Sequence, residues 1–329
     1  PDVVGVGSQG CAGTRHARVS DHGVCEGPVP KGEAMTLPRE VVPGRFYLVT
    51  RRCTQRQFLL RPDAATNNGF VYCLAVAAAR YGVEVVLPCA MSNHYHAVVY
   101  DRHGSLPDFT QYFHRLVARS QNALRGRWEN LWASEQVSVV HLVEPADVVD
   151  KLLYVATNPV KDGLVDKVHH WPGVNGFAAL LADRPLEATR PAHFFRADGR
   201  MPATATLRLT VPRELGDAGA LRAALRTQVA ERVQRLAEER KRAGRCVLGR
   251  RAVLAQRWHD APTTRAPRRN LRPRVAALDP VARIDALARQ RMFVEEYRRA
   301  RASWLAGARA AFPPGTYWLR RFAGVPVAA

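Results

Sequence analysis

Two histidines separated by a single residue, His94 and His96, are the side chains of this sequence best suited to hold a metal ion. They lead into Ala-Val-Val-Tyr, a run typical of a β-strand. Because alternate residues of a strand face the same side, both imidazoles would project from one sheet surface, with Tyr95 on the opposite surface. Adjacent imidazoles bind divalent metals, but such a pair also occurs as ordinary strand residues. The spacing alone leaves both interpretations open.

Tyr154 and Asn158 stand four residues apart, so in a helix they would share one face. A tyrosine hydroxyl can attack a phosphodiester, and an amide oxygen one turn away could complete a metal site begun by His94 and His96. Each residue also has a structural interpretation, since Tyr154 could pack against a sheet and Asn158 could end a helix. Together, the four residues form a coherent site for breaking a phosphodiester bond.

The elements that would position these residues follow from periodicity and from helix and strand signals. We predict strands at about 45–54, 84–90, 94–101 and 137–143, and helices at about 69–82, 105–125 and 146–157. We expect Ser105 to cap the second helix, and the third to stop near Asn158 because Pro159 disfavours a helical residue before it. The order β-α-β-β-α-β plus an added catalytic helix predicts the α+β class, with a ferredoxin-like (split βαβ) antiparallel sheet.

Charge is distributed unevenly along the chain. The net charge is +20, and residues 200–329 carry 28 Lys and Arg against 10 Asp and Glu. Such an excess of arginine indicates a polyanionic partner. In the predicted second helix, Arg115, Arg119 and Arg125 lie away from the apolar face, with Arg127 just beyond. We predict that these four arginines bind DNA, although a solvated helix face has the same composition.

Composition also divides the chain. We expect residues 1–34 to be a disordered or misannotated extension before Met35, and residues 35–180 to be the catalytic domain. Residues 181–212, rich in Pro, Arg and Ala, are predicted to be a linker before a basic, mostly helical C-terminal region at 213–329. Six cysteines without CxxC spacing argue against a zinc site or a disulfide framework and favour a cytoplasmic protein. The sequence has no apolar run of membrane-spanning length, so we expect no membrane partner. We also expect no small-molecule organic cofactor.

The sequence resembles the REP-associated tyrosine transposases, a branch of the HUH single-strand endonucleases, over roughly residues 35–180. The matching segments are Phe46-Tyr47-Leu48-Val49-Thr50, Met91-Ser92-Asn93-His94-Tyr95-His96, Trp128 with Trp132, Tyr154 to Val165, and Trp171-Pro172. The resemblance implies a ferredoxin-like fold, His94 and His96 as ligands of Mg²⁺ or Mn²⁺, and Tyr154 as the nucleophile. It also implies a 5′-phosphotyrosine intermediate on single-stranded DNA with palindromic hairpins, and a homodimer. Asn158 as third ligand departs from members of the family that carry Gln at this position.

Two other functions stay open at this stage. A DNA-hairpin-binding protein, either a repressor or a structural protein, could keep the fold without catalysis. A replication-initiator or relaxase-like nickase would use the same chemistry, although the chain has no Gly-x-x-x-x-Gly-Lys-Ser/Thr phosphate loop for a linked helicase.

Overall fold

The first part of the described chain forms four antiparallel strands and three helices. The computed structural model describes residues 38–264 and 273–328, so the predicted extension at 1–34 lies outside the described residues. In chain order the elements are β1 (Arg45–Arg52), α1 (Ala64–Tyr81), β2 (Val83–Ala90), β3 (His94–Asp101), α2 (Leu106–Leu124), β4 (Ser138–Leu142) and α3 (Pro145–Lys161). The strands lie in the order β2-β3-β1-β4, and each neighbouring pair is antiparallel. This order confirms the predicted α+β, ferredoxin-like fold.

The two faces of the sheet are covered by different helices. Tyr95 of β3 is fully buried, and its ring centroid lies 5.6 Å from that of Phe70 in α1 and 5.4 Å from that of Phe113 in α2. His96, the next residue of the strand, instead has its ring centroid 5.2 Å from that of Tyr154 in α3. The alternation of the strand therefore places α1 and α2 on one face, and α3 on the face that carries the histidines.

The N-terminus of α2 differs from the prediction. Ser105 stands at the capping position, but its hydroxyl donates to the carbonyl of Tyr81 over 2.6 Å and makes no capping bond. The buried carboxylate of Asp101 accepts the backbone N–H groups of Ser105 at 2.8 Å and Leu106 at 3.0 Å instead. A carboxylate at this end of a helix also interacts favourably with the helix dipole, which an uncharged hydroxyl does much less.

The predicted end of α3 near Asn158 is wrong, because the helix continues through Pro159 to Lys161. An internal proline removes one backbone hydrogen bond and costs about 3 kcal/mol. Val155 and Val160, on either side of it, are almost completely buried. Burying two such side chains stabilises the helix by about 1.5–3 kcal/mol each, enough to offset the proline.

Residues 181–212 are not the linker predicted from their composition. A short helix α4 (Phe177–Leu181) precedes a hairpin of β5 (Leu186–Thr189) and β6 (Thr204–Leu207) that packs against α1. Ala188, Ala205 and Leu207 are buried, and the hydroxyl of Tyr72 donates to the carbonyl of Pro202 over 2.6 Å. Strands of four residues are too short to give a readable period, and this explains the error.

The C-terminal region is mostly helical, as predicted. It contains α5 (Ala218–Arg242), α6 (Arg250–Ala255), β7 (Val275–Ala276), α7 (Pro280–Leu305) and α8 (Trp318–Ala323). Leu221, Leu225 and Val229 form a buried apolar side of α5, and the helix packs against α3. The short strand β7 pairs in parallel with β4 and extends the sheet. In the part of the chain that the structure describes, none of the helices has both the length and the apolar composition to cross a membrane.

Candidate active site

The two histidines of β3 lie side by side on the face that α3 covers, with ring centroids 4.9 Å apart. Nδ1 of His94 lies 2.7 Å from Oδ1 of Asn93, and Nδ1 of His96 lies 2.7 Å from the hydroxyl of Thr50. The amide oxygen of Asn93 can only accept, so Nδ1 of His94 carries the proton and Nε2 keeps its lone pair. The hydroxyl of Thr50 can accept from Nδ1 of His96, and in that tautomer both Nε2 atoms are available as metal ligands.

Both histidines are held in the neutral form. Burial, reinforced by the positive charges of Arg52 and Lys161, lowers the pKa of His94 to about 4. Burial also lowers the pKa of His96 well below its ordinary value, with His94 and Lys161 acting in the same direction. Only a neutral imidazole offers a lone pair to a metal, so the site does not have to lose a proton to bind one at neutral pH.

Tyr154 projects from α3 towards the histidine pair. Its hydroxyl lies 3.4 Å from Nε2 of His96, and its side chain is half-buried. Burial raises the pKa of this phenol, and the negative charge of Asp162 adds to the effect. The resting hydroxyl is therefore protonated, and a nearby base, cation or metal would have to activate it before it could attack at neutral pH.

Asn158 lies one helical turn from Tyr154 and is 1% exposed. Its side-chain oxygen Oδ1 is buried without a hydrogen-bond partner among the described residues. Leaving a buried acceptor unpaired costs about 1–3 kcal/mol, so such atoms are uncommon unless a ligand uses them.

This donor set fits a divalent cation. Within residues 38–264 and 273–328, no group of three or more His, Cys, Asp or Glu side chains is placed to hold a metal. A metal at the histidine pair would therefore need a third protein ligand of another kind, and the unpaired oxygen of Asn158 is of the right type. Two imidazole nitrogens and one amide oxygen suit Mn²⁺, and Mg²⁺ would complete its shell with water.

The structure also brings to the site residues that sequence reasoning missed. The Nζ atom of Lys161 lies 5.1 Å from the ring centroid of Tyr154, because residues 154, 158 and 161 share one face of α3. It was missed because the helix was expected to end before it. Thr50 is the direct partner of His96 in the register of β1 and β3, a pairing that no local sequence signal gives.

The four predicted DNA-binding arginines do not join this site. Arg115 and Arg119 are exposed on α2, across the sheet from the histidine pair. Arg125 is mostly enclosed, and donates to the Thr66 hydroxyl over 2.8 Å and to the Leu59 carbonyl over 3.3 Å. Arg127 donates to the side chain of Gln57 over 3.2 Å. A role in DNA binding stays a prediction for all four, and the contacts of Arg125 give that residue a structural role.

No protein-family model and no curated protein sequence matches the chain. Among solved structures, the chain is similar to a REP-associated tyrosine transposase bound to a REP hairpin, at 17% identity and a TM-score of 0.38. That alignment covers 45% of this chain and 86% of the transposase. The chain is also similar to a transposase structure from Deinococcus radiodurans R1, at 19% identity and a TM-score of 0.24, over 32% of this chain and 85% of that one.

Proposed function

We propose that this protein is a metal-dependent tyrosine transposase that cleaves and rejoins single-stranded, hairpin-bearing DNA through a 5′-phosphotyrosine intermediate. The observation that carries the proposal is the contact between the Tyr154 hydroxyl and Nε2 of His96, beside the unpaired oxygen of Asn158. A nucleophile, two neutral imidazoles and a buried amide oxygen converge here on one face of a sheet. A protein that only binds hairpins has no need of this combination.

His94, His96 and Asn158 would hold Mg²⁺ or Mn²⁺. When bound, the ion would polarise the scissile phosphate and offset the charge that develops on its oxygens. Thr50 and Asn93 contact the Nδ1 atoms of the two imidazoles, which would leave both Nε2 atoms available to bind the ion.

Tyr154 supplies the nucleophile. Its oxygen attacks phosphorus in line, forming the phosphotyrosine bond while the bond from phosphorus to the 3′-oxygen breaks. The phenol loses its proton and the departing 3′-oxygen gains one, so the step releases a free 3′-hydroxyl and no net proton. Reversal of the same step on another 3′-hydroxyl rejoins the strand.

Lys161 provides a positive charge that would activate the buried phenol. Its ammonium group lies against the ring of Tyr154, where it favours both the phenolate and the approaching phosphate. The basic C-terminal region adds an attraction for the DNA backbone that does not depend on sequence. The palindromic hairpin and the homodimer follow from the sequence resemblance, and they stay predictions.

The proposal is tested with a labelled single-stranded oligonucleotide that carries a hairpin and is incubated with the full chain and Mn²⁺. We expect a covalent adduct that survives denaturing electrophoresis and maps to Tyr154, with the label 3′ of the cleavage site retained. His94→Ala should abolish the adduct while hairpin binding, measured by fluorescence anisotropy, persists. Tight hairpin binding without any adduct would identify a catalytically silent DNA-binding protein instead. Cleavage of replication-origin DNA in preference to hairpin ends would favour a nickase.

A further inference from the structure

A second basic feature lies beside strands β4 and β7, apart from the candidate active site. A cavity of about 280 Å³ opens between the segment that precedes β1, strand β4 and helix α7. Its polar lining includes Arg39, Arg45, His141, Arg274, Arg289 and Gln290. Arginines from three parts of the chain, residues 39–45, residue 274 and helix α7, therefore line one small space.

The positive charge of this cavity is only partly balanced. Glu40, the one carboxylate among the described lining residues, forms an ion pair with Arg45 at 2.5 Å. The three remaining guanidiniums, those of Arg39, Arg274 and Arg289, have no carboxylate within ion-pair distance in the described part of the chain. Arg39 and Arg274 are half-buried and Arg289 is exposed at the mouth of the cavity, so an anion bound there would be attracted by all three charges.

The ionisation of the lining residues reflects the same excess of positive charge. Burial lowers the pKa of Arg39, and the neighbouring guanidinium of Arg274 lowers it further. Burial lowers the pKa of His141 to about 4, with Arg45 and Arg289 acting in the same direction. An anion in the cavity would relieve the repulsion among these groups.

The existing bonds of the three arginines leave donors to spare. Arg39 donates to the carbonyl of Val137 at 3.5 Å. Arg274 donates to the carbonyl of Pro38 at 3.2 Å and to the side-chain oxygen of Gln290, which leaves its Nη2 group free among these contacts. Each guanidinium has five N–H donors in a planar fork that matches the oxygens of a phosphate. At about 280 Å³ the cavity is slightly smaller than common small-molecule pockets of roughly 300–1,000 Å³, so it suits one phosphate-bearing unit.

We infer that this cavity is a phosphate-binding site, and that the backbone of the bound DNA supplies the phosphate. The second clause rests on the proposed function. The site lies across the sheet from the cleavage chemistry, because the rings of Tyr47 and His141 project from the face opposite to Thr50 and the histidine pair. Phosphate bound here would hold DNA to the protein at a distance from the scissile bond.

The test uses the full chain with the double substitution Arg274→Gln/Arg289→Gln. The matched control is Arg283→Gln/Arg291→Gln, which removes the same charge from exposed positions of α7 outside the cavity. Arg289→Gln alone is added because Arg289 is exposed, and its loss should leave the fold intact.

Inorganic pyrophosphate is the first probe, because it carries the phosphate chemistry without any DNA. It should raise the thermal unfolding midpoint of the wild type and of the control pair. Arg289→Gln should reduce this rise in the midpoint. The double variant Arg274→Gln/Arg289→Gln (the cavity pair) should show no rise. An equal rise in all variants overturns the inference. The inference is also overturned if pyrophosphate does not raise the midpoint at all, or if only an acidic peptide such as polyglutamate raises it.

Hairpin DNA is the second probe, read as the slope of log affinity against log NaCl concentration. Loss of one phosphate contact should reduce this slope by about 1 in the cavity pair and leave it unchanged in the control pair. If Arg274→Gln/Arg289→Gln loses the pyrophosphate effect but keeps the wild-type salt slope, the site binds a free phosphorylated small molecule. The DNA backbone then does not supply the phosphate. If the wild type forms no Tyr154 adduct, the proposed function fails, whereas the pyrophosphate result still decides whether the cavity binds phosphate.

Discussion

The hydroxyl of Tyr154 lies 3.4 Å from the Nε2 atom of His96, so the proposed nucleophile lies beside a nitrogen that we propose binds the metal. That nitrogen has a single lone pair, which cannot serve the phenol and a cation together. When a metal occupies the site, Tyr154 must give up this contact, and its oxygen then becomes available to a phosphate.

Tyr154→Phe separates these two roles. The variant should form no DNA adduct, yet it should bind Mn²⁺ at least as tightly as the wild type because no hydroxyl competes for His96. Electrophoresis of labelled DNA reports the adduct, and calorimetric titration reports the metal. Cleavage that survives in this variant would contradict the mechanism, and weaker Mn²⁺ binding would contradict the competition.

Asn158→Leu tests whether the unpaired oxygen serves a metal. Without metal, the free energy of unfolding should fall little, because the Oδ1 atom that the substitution removes has no hydrogen-bond partner among the described residues. Mn²⁺ at about 100 times its dissociation constant should stabilise the wild type by about 2.7 kcal/mol, and the variant by clearly less. Chemical denaturation with and without Mn²⁺ measures both quantities.

Asn175 provides the contrast for that experiment. Its amide donates to the carbonyl of Ala156 and accepts the N–H of Phe177, each over 3.0 Å. Asn175→Leu should lower the free energy of unfolding by about 1–3 kcal/mol, and it should leave the Mn²⁺ effect unchanged. Similar metal-free losses for the two variants would show that the oxygen of Asn158 is bonded in solution.

Thr50→Val should weaken the metal site without removing a ligand. The valine cannot hydrogen-bond to Nδ1 of His96, so the orientation and tautomer of that imidazole are no longer fixed. Loss of such a partner lowers metal affinity about 10–100-fold. Cleavage measured against Mn²⁺ concentration should shift by that factor and recover at saturation, whereas Thr206→Val, on the exposed face of β6, should not shift it.

Lys161→Gln should slow cleavage about 10–100-fold at saturating DNA and metal. Its positive charge favours the phenolate of Tyr154, so the rate of the variant should rise with pH over a higher range than that of the wild type. Lys161→Arg should retain most of the activity. Lys151→Gln on the same helix, where the lysine pairs with Asp150 at 2.7 Å, is the control. Equal effects of the two Gln substitutions would rule out a specific role for Lys161.

The free energy of unfolding should depend on pH through the buried side chain of His114. Nδ1 of His114 accepts from Arg51 at 2.8 Å, so its proton lies on Nε2, which contacts the hydroxyl of Tyr95 at 2.6 Å. Burial, and then the charge of Arg51, lower the pKa of this imidazole well below 6.5. Below about pH 6.5 the imidazole of His114 is therefore protonated in the unfolded chain but stays neutral in the native state.

The stability contributed by neutral His114 is fully present above about pH 6.5 and is lost as the pH falls towards its native pKa. The loss amounts to about 1.4 kcal/mol per pH unit for each such histidine. His114→Gln should reduce the slope of unfolding free energy between pH 6.5 and 5 by up to one proton. Urea denaturation at several pH values measures this slope, and an unchanged slope would show that His114 is protonated in the native state.

The histidine pair and the helical pair could be found in the sequence because each depends on local geometry. Alternation in a strand gives His94 and His96 one face, and a four-residue spacing gives Tyr154 and Asn158 another. The element order then fixed the strand order of the sheet. These features need no knowledge of what packs against them.

The errors arose where distant packing decides the outcome. Burial around Pro159 outweighs the helix-ending tendency of proline, and for that reason Lys161 was not recognised. Periodicity shows which side of α2 is apolar, but not which face of the sheet α2 covers. The sequence therefore could not show that Arg115 and Arg119 lie on the opposite face from the histidines. The short strands of the hairpin at 186–207 are defined by their contact with α1.

The course of α3 through Pro159 gives the candidate site one mechanical property. Tyr154, Asn158 and Lys161 all belong to helix α3, while His94 and His96 belong to β3, an interior strand of the sheet. Any sliding or tilting of α3 would move the Tyr154 hydroxyl, the Asn158 amide and the Lys161 ammonium group away from the histidines together. Since α5 packs directly against α3, the basic C-terminal region is in a position to set its alignment.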